Sequence, residues 1–194
     1  PTMLLASAWR RLGRCDDALD FLQAERLKAA SFVLSSLLQE VGMRDDAAFA
    51  RVAGAAAETV FDALGMGAVN PLFSATMSLE VAEVLRRAGE KDGALAALAR
   101  AVDAVAKVAA DADSPNSPLW DRLADRLDPA RAGEAWAEHK KRQADGAVSF
   151  MCRALVEEIA APEWRELVGD DSRYREIAAS AGRLAGEGLA SCEG

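Results

Sequence analysis

The chain is poor in the residues that usually carry chemistry. It has one histidine, three cysteines and one tyrosine in 194 residues, and aromatic residues make up only 6%. Cys15, Cys152 and Cys192 lie far apart. They match no zinc spacing and outline no disulfide framework, so they read as reduced thiols of a cytoplasmic protein. His139 stands among Glu138, Lys140 and Lys141, which is the setting of a solvated helix face. No glycine-rich phosphate loop and no grouping of nucleophile, base and acid is visible, which argues against an enzyme, a metal site or a cofactor. No apolar run approaches the roughly 18–20 uncharged residues of a membrane span, and no signal peptide is visible. Positive charge is also short: 23 Lys and Arg against 31 Asp and Glu leave a net charge of −8. A nucleic-acid-binding face needs the opposite balance, to displace counterions from phosphate. Strand signals are missing too, with no alternation of period two and few β-branched runs.

What the chain does have is alanine and a repeated phrase. Apolar residues are 51% of the total, enough for a core in one domain or two small ones. The phrase Ala8-Trp9-Arg10-Arg11-Leu12-Gly13, then Asp16-Asp17-Ala18-Leu19 and Leu22, returns 76 residues later. There it reads Val84-Leu85-Arg86-Arg87-Ala88-Gly89, then Asp92-Gly93-Ala94-Leu95 and Leu98. A weaker copy runs from Leu38 through Gly42 to Ala47. Each copy reads as a helix end, a turn and a helix start. Gly13, Gly42 and Gly89 supply the positive φ that such a turn needs. Ala18 and Ala94 allow close helix approach, and Leu22 and Leu98 fill the hairpin core. The order resembles the tetratricopeptide pattern, whose unit is about 34 residues. The expected fold is all-α: tetratricopeptide-like antiparallel hairpins forming a short right-handed α-solenoid over 1–112. A C-terminal helical extension over 113–186 and a frayed tail over 187–194 follow.

In more detail, helices are expected over Met3–Leu12 and from Cys15 or Asp16 to Val41, the latter with a break near Gln23–Leu27. Asp45 and Asp46 open the next, with Phe49, Val52, Ala56, Val60 and Leu64 as its buried stripe. Gly65-Met66-Gly67 closes it. Asn70-Pro71 starts a helix that runs to Ala88. Its partner buries Leu95, Leu98, Val102 and Val105. Asp111–Pro118 reads as a loop, Leu119–Leu127 as a short helix and Asp128-Pro129 as a restart. Phe150, Met151, Leu155 and Ile159 mark a helix ending at Ala161-Pro162, and Asp170-Asp171 cap the last one.

Several residues could bind a ligand. Arg10, Arg11, Arg86 and Arg87 stand near the same elbow in both clear copies, and their guanidinium forks could hold an acidic peptide in a groove. The competing reading is solvated helix ends, where arginine complements the C-terminal dipole. Trp9, Trp120, Trp136 and Trp164 are expected to fill gaps between helices, with Trp120 as the exception at a groove edge. Cys15 reads as a small half-buried residue, Glu157-Glu158 and Asp170-Asp171 as helix faces and caps, and Lys140-Lys141-Arg142 as a solvated patch.

These pieces together resemble a known group. Ala57–Phe61, the hairpin Leu85–Leu98, Ser117-Pro118-Leu119-Trp120, and the closing Val156–Ile159, Trp164–Val168 and Asp170–Ile177 are similar to the C-terminal helical-repeat region of bacterial helix-turn-helix transcriptional regulators of the xenobiotic-response-element type. The resemblance implies a repeat region that senses a peptide or small-molecule effector, binds a partner protein or dimerises. It also implies that DNA is contacted only by a separate domain N-terminal to Pro1, and the start of the chain inside an apparent helix reads as a fragment. The stretch Arg131–Arg142 is longer and more charged than the family pattern. A homodimer through alanine-rich helix faces or the C-terminal helices is a further expectation, and a protein–protein scaffold outside transcription is the alternative.

Overall fold

The computed structural model describes residues 2–110, 117–123 and 133–192. Among them there are helices and turns and no strand. None of these helices is long and apolar enough to cross a membrane. The elements are α1 (Thr2–Arg11), α2 (Cys15–Arg44), α3 (Ala47–Ala63), a 3-10 turn (Met66–Ala68), α4 (Phe73–Arg87), α5 (Lys91–Ala110), α6 (Glu134–Ala160), α7 (Pro162–Val168) and α8 (Ser172–Cys192). Each early helix packs on the next: α1 on α2, α2 on α3 and α4, α3 on α4, and α4 most extensively on α5. The C-terminal unit joins through α5, which meets both α6 and α8.

The two clear copies of the repeated phrase fold alike at atomic level. Gly13 has φ +74° and Gly89 φ +75°. At the first elbow Gly13 N donates to Arg10 O at 3.1 Å and Arg14 N to Trp9 O at 2.9 Å; at the second, Gly89 N donates to Arg86 O and Glu90 N to Leu85 O, both at 2.9 Å. The left-handed residue lets the chain reverse while late carbonyls of the first helix keep partners. An alanine at Gly89 meets no atom within 4 Å, so its cost is conformational alone. Gly89→Ala is expected to lower stability by about 1–2 kcal/mol, measurable as a reduced urea midpoint with an unchanged m-value.

The third elbow differs from expectation. Gly42 lies inside α2, which runs unbroken from Cys15 to Arg44, and the reversal falls three residues later at Asp45, with φ 51°. Aspartate tolerates the left-handed region because its short side chain bonds locally. Asp46 then caps α3, accepting from Ala48 N and Phe49 N. Gly42 serves close approach instead: a Cβ there would stand 2.7 Å from Glu80 Oε1 on α4. The expected break near Gln23–Leu27 is absent as well; at about 1.5 Å per residue the 30-residue α2 is a rod of roughly 45 Å.

The buried stripe of α3 is Ala50, Ala53 and Ala57, not the series of larger residues. Val52 and Ala56 are exposed, and Phe49, Val60 and Leu64 are half-buried. Three alanines on one face allow α3 to lie close to α4, with Gly54 only 3.1 Å (as a built Cβ) from Val81 Cγ2. The helix after Asn70-Pro71 begins at Phe73, with Leu72 at its cap position and no side-chain cap bond. Leu95, Leu98, Val102 and Val105 of α5 are buried as the periodicity indicates. Residues 121–123 are helical, following a turn over 118–119. The rest of the Leu119–Leu127 expectation, the Asp128-Pro129 restart and most of the Asp111–Pro118 loop lie outside the described residues. Leu155 and Ile159 are buried in α6, whereas Phe150 is 65% exposed. The final helix continues past Gly186 to Cys192.

Candidate binding surface at the α4–α5 elbow

The end of α4 carries Glu83, Arg86 and Arg87 at spacings of three and four, which place all three on one face. Arg86 grips Glu83 with two parallel bonds, Nε to Oε2 at 2.7 Å and Nη2 to Oε1 at 2.5 Å. Arg87 donates from Nη1 to Glu83 Oε1 at 2.9 Å and from Nε to Asp45 Oδ1 at 2.6 Å, tying α4 to the α2–α3 elbow. The Arg86 guanidinium lies 5.9 Å from the ring centroid of Trp164 on α7. Trp164 in turn donates from Nε1 to Glu158 Oε1 at 3.0 Å. On the other side of the elbow, Lys91 Nζ donates to Val168 O at 3.2 Å and pairs with Asp171 at 3.1 Å. Arg173 holds Asp171 at 2.8 Å and Asp92 at 2.7 Å. Charged groups from α4, α5, α6 and α8 therefore meet the Trp164 ring and Val168 carbonyl of α7 where one hairpin turns.

The electrostatics follow from these contacts. The bonds from Arg86 hold the Glu83 carboxyl below the usual range, and the Arg173 fork does the same, more strongly, for Asp171. Burial pushes Glu158 up, and its hydrogen bond with Glu83 adds to the rise. The two glutamates thus have opposite linkage signs. Glu83 contributes stability that is present above its unfolded value and is lost as pH falls through its lowered folded value. Glu158 contributes stability that is complete below an unfolded value of about 4.3 and is lost as pH rises through its raised folded value. A glutamine at 158 can keep the acceptor for Trp164 and donate to Glu83 without the charge. Glu158→Gln is therefore expected to raise stability at pH 7 by about 0.5–2 kcal/mol, with the gain gone below pH of about 4. Thermal melts at the two pH values measure it; a loss of stability at pH 7 would show that the Glu158 charge is supported by its surroundings.

Beside this cluster, α5 and α8 enclose a groove of 340 Å³. Leu95, Val102 and Ile177 form an apolar floor, and Asp92, Asp103, Glu176 and Arg173 stand around it, Asp92 being paired with Arg173. That volume suits a small molecule or a short peptide segment. Among the described residues no group of three His, Cys, Asp or Glu is placed to hold a metal ion. Glu83 and Glu158 form a carboxyl pair whose oxygens accept from Arg86, Arg87 and Trp164.

The residues singled out from sequence occupy three separate places. Arg10 and Arg11 are exposed at the end of α1. Arg86 and Arg87 sit in the elbow cluster, already paired with Glu83 and Asp45. Trp120 is not at a groove edge: it is 0% exposed, and its Nε1 donates to Leu64 O at 2.7 Å. The turn over residues 117–120 seats this ring between α2 and the Gly65 turn. There Arg26 lies 5.7 Å from the ring centroid and donates to Leu119 O at 2.8 Å. Gln23 bonds Asp121, and Arg122 bonds Asp16 and pairs with Asp20 at 3.1 Å. Cys15 is exposed rather than half-buried, and Cys152 is buried, which raises its thiol above the usual range. His139 is exposed on α6, and the side chain of Trp136 lies outside the described residues. Glu158 and Asp171 read from sequence as part of a helix face and a cap, and Glu83 and Arg173 carry no site reading there. Asp171 is indeed a cap, accepting from Arg173 N at 3.0 Å. Only Arg86 and Arg87 are singled out by the sequence; the spacing of Glu83 to them is a signal that could have found it, whereas the other partners are distant along the chain. No family profile, curated protein or solved structure matches this chain.

Proposed function

We propose that this chain is the effector- or partner-binding helical-repeat region of a bacterial transcription regulator of the xenobiotic-response-element type, built as a short right-handed tetratricopeptide-like solenoid. The observation that carries the reading is the congruence of the Gly13 and Gly89 elbows, with φ values of +74° and +75°. Repeated hairpins present extended surfaces to partners, and catalysis is not their usual use. The α5–α8 groove is the effector site of this reading. Its apolar floor and the carboxylates of Asp103 and Glu176 suit a ligand with a basic group on an apolar body, a peptide or a small molecule. The region works without a cofactor, lies in the cytoplasm, and reaches DNA only through a helix-turn-helix domain attached upstream.

Signal transfer follows from where the groove lies. An effector that displaces Asp92 or Arg173 alters the ties that hold α7 and α8 against the α4–α5 elbow. It shifts the array only if it binds one arrangement more tightly than the other. Immunoprecipitation of the tagged full-length protein with chromatin from its host tests the role. Enrichment at discrete promoter sites is expected. Uniform recovery across the genome rejects the regulator reading and favours a scaffold that docks partner peptides through the same surface.

A further inference from the structure

The two clear copies of the repeated phrase share an inner seam and differ in their outer face. Ala6 of α1 and Ala18 of α2 are buried, and so are Ala82 of α4 and Ala94 of α5, each 76 residues on. On the outer face Leu5 is 41% exposed, whereas its counterpart Val81 is 3% exposed. Ala8 is exposed too, and its counterpart Val84 is buried. Leu5, Ala8 and Arg11 follow at steps of three, so they share one stripe of α1, as Val81, Val84 and Arg87 do on α4. What covers the second stripe is visible, because α3 and the elbow before it lie over α4. A Cβ at Gly54 of α3 would stand 3.1 Å from Val81 Cγ2, and Asp45 accepts from Arg87 Nε at 2.6 Å. Beyond the elbow, Arg51 of α3 pairs with Glu90 at 2.7 Å. The first stripe lacks this cover: Leu5, Ala8 and Arg11 are open to water, and Arg11 has no carboxylate partner among the described residues.

We infer that the Leu5–Ala8–Arg11 stripe docks a helix of a partner protein, laid on α1 as α3 lies on α4. The covered copy sets both the register and the chemistry of that helix. Its contact face is alanine and glycine, as in the Ala50, Ala53 and Ala57 stripe of α3, so that it can approach closely. A carboxylate just ahead of its first turn takes the place of Asp45 and meets the Arg11 guanidinium. The position of Arg51 carries no basic residue, because Arg14 stands where the second copy has Glu90. Arg14 is already held by Asp17 at 2.8 Å, so a cation placed there meets a like charge without an acid to spare. The same point rules out α3 of a second copy, whose small face is in any case buried in its own core. Docking of this kind is an amphipathic helix received on a helical hairpin. The inference goes beyond the regulatory role and is independent of the α5–α8 groove, since it rests on the equivalence of the two hairpins.

The probe is a synthetic peptide with the sequence of residues 45–64 carrying Arg51→Gln, titrated into the isotope-labelled chain and followed by amide chemical shifts. Saturable shifts are expected at Leu5, Ala8 and Arg11. Leu5→Glu in the chain should raise the dissociation constant about 10-fold or more, with unchanged helical circular dichroism because the side chain is open to water. Phe32→Glu, at a residue 75% exposed on α2, should leave it unchanged. Arg11→Ala in the chain and Asp45→Asn in the peptide should each weaken binding about 2–5-fold, and the two together no more than either alone. A peptide that keeps Arg51 should bind about 2–5-fold more weakly than the probe. Absence of shifts at about 1 mM peptide, the weak limit of specific binding, overturns the inference. So does binding that Leu5→Glu leaves intact or that Phe32→Glu removes. Equal affinity of the peptides with and without Arg51, or additive effects of Arg11→Ala and Asp45→Asn, overturns the register.

Discussion

Trp164→Ala is expected to remove about 3–5 kcal/mol of stability, the scale for truncating a large aromatic in a core. Trp164 is 0% exposed. Its ring stacks on Tyr174 at a centroid separation of 6.5 Å and an angle of 16°, which joins α7 to α8. Arg86 covers it from α4 and Glu158 accepts its N–H from α6. Truncation thus opens a cavity where four helices meet. It also strips the half-buried Glu158 of a donor, so the cost exceeds lost packing alone. Total stabilities of single domains are about 5–15 kcal/mol, so this one change removes a large fraction. Urea denaturation followed by far-ultraviolet circular dichroism measures it. Trp164→Phe keeps the ring and loses only the N–H, and should cost about 1–2 kcal/mol. A loss below about 1 kcal/mol for the alanine variant would show that α7 is not seated on the elbow as described.

Trp120→Ala is expected to cost a comparable amount, about 3–5 kcal/mol. This ring pins residues 117–123 between α2 and the turn after α3. It is 0% exposed and gives Leu64 O a hydrogen bond at 2.7 Å. Its removal leaves that carbonyl without the bond, at a helix end where carbonyls lack intrahelical partners. It also takes the aromatic face from Arg26, 5.7 Å from the centroid. Arg26 still reaches Leu119 O, so the two side chains should be coupled. A double-mutant cycle of Trp120→Ala with Arg26→Ala should give an interaction of about 0.5–2 kcal/mol. Trp120→Ala and Trp164→Ala share none of the contacts described and should add. An additive Trp120–Arg26 pair would remove Arg26 from the seat.

Local rules were enough for some of this architecture. A reversal between helices that needs a left-handed residue is visible wherever only glycine fits the register, as at Gly13 and Gly89. At the third copy two residue types could supply it. The sequence pattern favours Gly42, but Asp45 takes the left-handed conformation and Asp46 the cap, which leaves Gly42 free to admit Glu80. The stripe of α3 was misjudged because bulk was taken as the sign of burial. Where helices approach closely, small residues occupy the contact, and Ala50, Ala53 and Ala57 fill it while Val52 is 69% exposed. The arginine pairs were legible as helix ends. Their partners were partly legible: Glu83 lies within a turn of Arg86, but Glu158 and Trp164 arrive from far along the chain. The same holds for Trp120, whose environment is assembled from Leu64 and Arg26. Short-range chemistry fixes elbows and caps, whereas a site built from five helices is set by how they stack.

Backbone carbon chemical shifts of the isotope-labelled protein test the repeated elbow most directly, because they report φ and ψ residue by residue without reference to packing. Helical shifts should continue without interruption through Gln23–Leu27 and Gly42, and should break at Gly13, Asp45 and Gly89, with matching left-handed values at the two glycines. Helical values at Gly13 or Gly89, or a break at Gly42 with Asp45 still helical, would contradict the hairpin repeat on which the binding surface rests.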